Sequence, residues 1–266
     1  MIKDITIGQY IPGESFVHKL DPRLKILISL LFIVDLFLVN NFKGYLFVVI
    51  FILITILIAN LSFKYIYSGL KPILVLLLIT AILNIFMTTG KEPAIFHWGF
   101  ISVYKEGLTI AAFMIIRLVF LIMGTSILTL TTSPIELTDG IESLLRPFKR
   151  IGVPAHELAM MMTIALRFIP TLMDETDKIM KAQMARGADF ESGNLISRAK
   201  SLIPILVPLF ISSFRRADEL AMAMESRCYK GGEGRTRMKQ LHITKKDYIA
   251  SFAFTLLFVI TIVSRT

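Results

Sequence analysis

Residues 45–61 read YLFVVIFILITILIANL, without one charged side chain. At about 1.5 Å of rise per residue, a helix of this length crosses most of a hydrocarbon layer roughly 30 Å thick. Four more runs share the character, at 24–40, 70–88, 108–130 and 248–264. Together with 55% apolar residues and a mean hydropathy of +0.68, they predict an all-α integral membrane protein with about five transmembrane helices. The first run starts after residue 23 and lacks a small-residue cleavage site, so it reads as a retained span. A single cysteine, Cys228, excludes an internal disulfide framework and a cysteine-based zinc site. In so apolar a chain the net charge of +9 is explained by membrane topology, and no nucleic-acid partner is expected.

Five spans place the termini on opposite sides of a cell membrane. Lys3, Lys19, Arg23, Lys25, Lys64, Lys71 and the basic residues between 131 and 247 fall on one side, against Lys43, Lys91, Lys105 and Arg265 on the other. The positive-inside bias predicts a cytoplasmic N-terminus and an external C-terminus. The chain then divides into a transmembrane region at 1–130, a cytoplasmic helical module with two long helices at 131–247, and a final transmembrane helix at 248–266. Trp98, Phe96 and Phe100 fall in an external loop and suit the outer interface.

Between 131 and 247 lie 18 Lys and Arg against 14 Asp and Glu, interleaved with apolar residues at helical spacing. Three helical pieces are expected. Ser133-Pro134 opens the first, with Glu136 in its first turn, and Pro147 ends it. The second runs from about 154 to 186, bent at Pro170 and closed by Gly187; the third runs from about 195 to 229 and ends at Gly231-Gly232. The apolar stretch 202–214, with Pro204 and Pro208, reads as a kinked helix packed on protein or at the membrane surface.

Two arginines 41 positions apart occupy matching settings, Ala185-Arg186-Gly187 and Ser226-Arg227-Cys228. Either arginine could merely complement the negative end of its helix dipole, a contribution of about 0.3–1 kcal/mol. The duplication and the small neighbours point instead to two similar docking contacts, because a guanidinium can grip a carboxylate with two hydrogen bonds.

No phosphate-binding loop is present, Thr89-Gly90-Lys91 being only a fragment of one, so ATP hydrolysis by this chain is not expected. His18, His97, His156 and His242 lack metal-ligand spacing, and no nucleophile pattern accompanies them; no catalytic residue, metal site or directly bound cofactor is expected. Asp35 and Arg117, at similar depth in spans one and four, are expected to form a structural intramembrane ion pair, the alternative being a substrate or proton pathway.

Several motifs carry a family resemblance in their order and spacing. They are Ser15-x-x-His18-x-Leu20-Asp21-Pro22-Arg23-x-Lys25, Arg146-Pro147-x-x-Arg150-Ile151-Gly152-Val153-Pro154-x-His156-Glu157-Leu158-Ala159, Ala165-Leu166-Arg167-Phe168-Ile169-Pro170, and the Ala-Arg-Gly element. Over nearly its whole length the chain resembles the transmembrane T component of energy-coupling factor transporters, the EcfT family. It departs from the pattern at Ser226-Arg227-Cys228, where the family is nearer Ala-Arg-Gly. The resemblance implies a bacterial importer in which this subunit joins two ABC ATPases, identical or different, to a membrane S component that captures a vitamin or metal ion. ATP and magnesium would then reside on the ATPases, with Arg186 and Arg227 each inserted at a groove of one of them. Nine of the 13 methionines lie between 131 and 247. Flexible thioethers suit a surface that accepts exchangeable partners, although ordinary helix packing would also use them. The candidates to face the S component are Met160, Met161, Met162, Met173, Leu202, Leu206 and Leu209. A membrane-embedded enzyme and a stand-alone secondary transporter are the alternatives, and copurification with ATPases separates them from a scaffold.

Overall fold

Where apolar runs must satisfy every backbone group without water, they become helices. The computed structural model, which describes residues 10–88, 96–98, 101–190, 194–232 and 240–265, is all-α apart from one short hairpin. The expected site for Phe100 and the Thr89-Gly90-Lys91 fragment lie outside the described residues. The hairpin pairs β1 (Phe96–Trp98) antiparallel with β2 (Ile101–Val103), Phe96 opposite Val103. The chain forms two compact units, one from Gly8–Gly140 with Leu241–Thr266 and the other from Ile141–Gln240.

The first unit holds α1 (Pro22–Leu38), α2 (Phe42–Ala59), α3 (Phe63–Leu70), α4 (Leu74–Met87), α5 (Lys105–Thr131) and α10 (Lys245–Arg265). Four helical stretches are long and apolar enough to cross a membrane, Phe42–Ala59, Phe63–Met87, Lys105–Thr131 and Lys245–Ser264. The 17-residue α1 sits at the lower limit, about 26 Å long at the helical rise. The third span starts at Phe63, upstream of the expected residue 70, because the Lys71–Ile73 segment tightens into a 3-10 turn that carries α3 into α4. Pro72 sits early in that turn, where its missing N–H costs little. Leu36, Val48, Ile52, Ile56, Leu130, Phe254 and Leu257 form the core, while Leu57, Val75, Leu78 and Phe252 are exposed, as a lipid-facing surface requires.

Polar groups tie these helices at their ends. Lys25, buried in the first turn of α1, donates to the Thr131 carbonyl at the C-terminus of α5 (3.0 Å) and to the His18 carbonyl (3.1 Å). Asp21 caps α1 by accepting from the Arg23 amide at 2.8 Å. The Asp21 amide in turn donates to the buried Asp247 carboxylate at 2.7 Å. The second Asp247 oxygen accepts from the Thr244 amide and hydroxyl, fixing the start of α10. Arg23 reaches the Leu241 carbonyl at 2.8 Å. Ahead of α1, the His18 ring links Ser15 and the Ile11 carbonyl; burial holds its pKa below the ordinary value, so the neutral ring accepts from Ser15 and donates to Ile11.

The second unit corrects two boundaries. α6 (Pro134–Leu145) opens as expected, with the Glu136 amide donating to Ser133, and the unit boundary falls within it. Pro147 does not stop the chain; Arg146–Ile151 continues as a 3-10 segment, in which proline is accommodated, until Gly152 turns it at φ +90°. α7 (Ala155–Ala185) runs unbroken through Pro170. The single helix expected from 195 to 229 is divided at Leu202 into α8 (Leu195–Ser201) and α9 (Ile203–Ser226). Pro204 cannot donate to the turn before it, so the helix restarts with that proline in its first turn.

Replacing Asp247 by alanine removes the acceptor of one buried donor, the Asp21 amide, and of two part-buried ones, the Thr244 amide and hydroxyl. It is expected to cost about 3 kcal/mol, read as a lower melting temperature of the detergent-solubilised protein.

Candidate functional site

α7 and α9 lie antiparallel in the second unit. The Gln183 amide near the end of α7 donates to the Pro204 carbonyl at the start of α9 (3.4 Å), and Glu175 pairs with Arg216 at 2.5 Å. At the other extreme, the backbone of Gly232, beyond α9, lies against the His156 ring in the first turn of α7; a Cβ there would meet ring carbon Cδ2 at 2.5 Å. The imidazole Nδ1 is 3.1 Å from Glu142.

The two arginine elements close these helices with one geometry. After α7, the amides of Arg186, Gly187 and Ala188 donate to the carbonyls of Gln183, Met184 and Gln183; after α9, those of Arg227, Cys228 and Tyr229 donate to Met224, Glu225 and Met224. Both are Schellman caps with arginine at the C-cap and a left-handed residue following. Arg186 adopts φ −88°, ψ 5° and Arg227 φ −91°, ψ 12°. Gly187 takes φ +90° and Cys228 φ +56°. Cys228 therefore performs the turn for which glycine is the usual residue, at a conformational cost of about 1 kcal/mol. Ala185, Arg186, Gly187, Ser226, Arg227 and Cys228 are all exposed. Among the described residues, neither guanidinium makes a side-chain hydrogen bond or ion pair. Among the described residues nothing absorbs the two charges, which a helix-dipole role alone would leave as isolated surface groups.

The other candidates separate. Met161, Met162, Leu202 and Leu206 are exposed, whereas Met160, Met173 and Leu209 are partly buried. Ile203, Leu206, Val207, Phe210, Ile211 and Phe214 extend the exposed set as one helical stripe along α9, Phe210 stacking on Phe214. The stripe lies within the apolar stretch 202–214 expected to pack on protein or at the membrane surface, although Leu206 alone of it is among the individual candidates; the i, i+3, i+4, i+7, i+8 spacing marks the exposed face.

The expected ion pair between Asp35 and Arg117 does not form. Arg117, in α5, donates to the Leu36 and Val39 carbonyls at the end of α1 (3.1 and 3.3 Å) and lies over the Phe37 ring. Asp35 is fully buried and accepts from the Thr261 hydroxyl of α10, its second carboxylate oxygen having no partner. The orphan carbonyls at the end of α1 also need donors where water is absent, and depth alone could not say whether they or a carboxylate would take the guanidinium.

These features define a polytopic helical membrane protein with a separate helical unit that carries two matched arginines. Residues 13–238 match the family model described as cobalt transport protein, CbiQ. A Clostridium kluyveri protein is 73% identical over 265 residues, covering 100% of this chain and 98% of its own. One from Thermosediminibacter oceani is 61% identical over 264 residues (99% of each chain), and one from Bacillus subtilis 52% over 247 (93% of each). All three are named energy-coupling factor transporter transmembrane protein EcfT. The chain belongs to the EcfT family, the transmembrane component of energy-coupling factor transporters.

Two outcomes are expected from this geometry. Cys228→Gly should stabilise the end of α9 by about 1 kcal/mol and Gly187→Ala weaken the end of α7 by a similar amount, read from amide hydrogen exchange of each last turn. Exchanging the intramembrane charges, Asp35→Arg with Arg117→Asp, should not recover the folded yield lost in either single variant, whereas Asp35→Asn, which keeps an acceptor for Thr261, should retain it.

Proposed function

We propose that this subunit is the scaffold and energy-coupling component of an importer, joining two ABC ATPases to an exchangeable membrane S component for uptake of a vitamin or other micronutrient. The carrying observation is the pair of matching helix ends that present Arg186 and Arg227 without a partner among the described residues. Each guanidinium enters a groove on one ATPase and bonds an acidic group there; the small residues Ala185, Gly187 and Ser226, with Cys228, let the groove wall approach. ATP and magnesium stay on the ATPases, and this chain contributes no catalytic residue. The N-terminus and the second unit lie in the cytoplasm and the C-terminus outside, the orientation that the distribution of lysine and arginine favours.

The S component rests against the apolar side of the coupling helices. Met161 and Met162 of α7 and Leu202 and Leu206 around the start of α9 form the accessible part, with Met160, Met173 and Leu209 behind them. Adaptable thioethers and an apolar stripe accept different S components without a fixed set of polar contacts.

The test is affinity purification of the tagged wild type beside Arg186→Glu, Arg227→Glu and the double variant, scoring retained ATPases, S component and hydrolysis of magnesium ATP. Each reversal should weaken ATPase retention by about 2 kcal/mol or more, because it leaves a docked carboxylate facing a like charge. Retention of both ATPases by the double variant at the wild-type level would overturn the docking role.

A further inference from the structure

The ion pair between α7 and α9 has the same sequence offset as the two arginines. Glu175 and Arg216 are 41 residues apart, as are Arg186 and Arg227. Each arginine therefore lies 11 residues beyond the member of the pair on its own helix. Because the helices are antiparallel, the two arms leave the pair in opposite directions, each about 16 Å long at the helical rise. The contact between Glu175 and Arg216 is thus the midpoint of the line joining the two docking ends.

Apolar packing at that midpoint is thin, its residues only half-buried. The fully buried residues of α7 are Ala155 and Ala159 in its first turns, and that of α9 is Ile205 near its start. Between the helices beside the ion pair is a cavity of about 270 Å³ lined by Ile164, Arg167, Phe168, Arg216, Glu219 and Leu220. A crossing without a dry, interdigitated core offers little resistance to rotation or sliding. The Glu175–Arg216 bond is partly buried, at 21% and 32% side-chain exposure. Screening is therefore weaker than at a fully exposed pair, and a guanidinium–carboxylate contact has a defined geometry.

We propose that Glu175 and Arg216 are positioning residues that fix the crossing of α7 and α9, and with it the span between Arg186 and Arg227, so that both ATPases are held at a set separation. This rests on the docking role of the two arginines. The pair touches neither ATPase in this account; it acts through the helices. Losing it leaves each arginine able to dock but lets the two docked ATPases drift relative to one another.

The test uses the purified complex with its ATPases. Spin labels go on cysteines replacing Asp189 and Lys230, each three residues past its arginine, with Cys228 replaced by serine; their separation is measured by pulsed electron resonance. Retention and hydrolysis of magnesium ATP are measured in the otherwise wild-type chain. Glu175→Gln and Arg216→Gln should each broaden the distance distribution and lower hydrolysis by roughly three- to tenfold, with ATPase retention nearly unchanged. The exchange Glu175→Arg with Arg216→Glu should restore a narrow distribution and recover hydrolysis. An unchanged distribution in both single variants overturns the proposal, as does parallel loss of retention and yield, which marks general damage to the fold. A broadened distribution that the exchange fails to narrow also overturns it. If Arg186→Glu and Arg227→Glu leave retention intact, the docking role fails, while the labels still report separately whether the pair sets the span.

Discussion

The membrane unit depends on two cations that close each other's helices. A helix that ends within or beside hydrocarbon leaves carbonyls that water cannot reach, and each needs a donor from elsewhere. Lys25 in α1 supplies one to the end of α5, through the Thr131 carbonyl. Arg117 in α5 supplies two to the end of α1, through Leu36 and Val39. The capping is reciprocal, so neither helix end is satisfied unless the other helix is in place. It also fixes their antiparallel register at two depths, which uniform apolar packing would leave free to slide.

Around Lys25 the capping widens into a hub. Its charge lies near Glu136 in the first turn of α6, Asp247 at the start of α10, and Asp21 ahead of α1. On the same side, Gly140 of α6 packs on Pro22 and Ile26, where an added Cβ would approach Ile26 to 3.0 Å. The start of α6 is therefore held by charge and by close packing.

The sequence made the spans legible because hydrophobicity and length are additive over a window, and errors at single residues average out. The helix ends at Arg186 and Arg227 were legible for a different reason: Gly187 and the repeated arginine are local signals, and the cap geometry is local. Pairing is not local. Asp35 and Arg117 have matching depth but take partners in α10 and α1, and only the packing of three helices decides that. The role of Lys25 was readable in part as well. Arg23 and Lys25 occupy the first turn of α1, where the helix dipole disfavours cations, so their charge had to serve another element. Counted only toward the positive-inside bias, they concealed the hub. The division at Leu202 shows the same limit on a smaller scale, since Pro204 is tolerated in a first turn and forbidden one turn later, and composition does not say which applies.

The helix ends explain why arginine and a left-handed residue occur together. In a Schellman cap the C-cap residue is the last with helix-like torsions, and the next residue turns the backbone sharply away. A side chain at the C-cap is thus left without a following helical turn beside it. Arginine there stands exposed at the end of its helix, while the cap engages the carbonyls of Gln183 and Met184 in one case and of Met224 and Glu225 in the other. A lysine would carry the charge but not the planar donor fork. The use of Cys228 in place of glycine shows that the turn itself is the conserved physical requirement between the two ends of this chain, since the backbone adopts the left-handed conformation even where the side chain opposes it. The cap's backbone bonds from Arg227, Cys228 and Tyr229 offset that strain locally, and the outcome is two equivalent cations at opposite ends of one antiparallel helix pair.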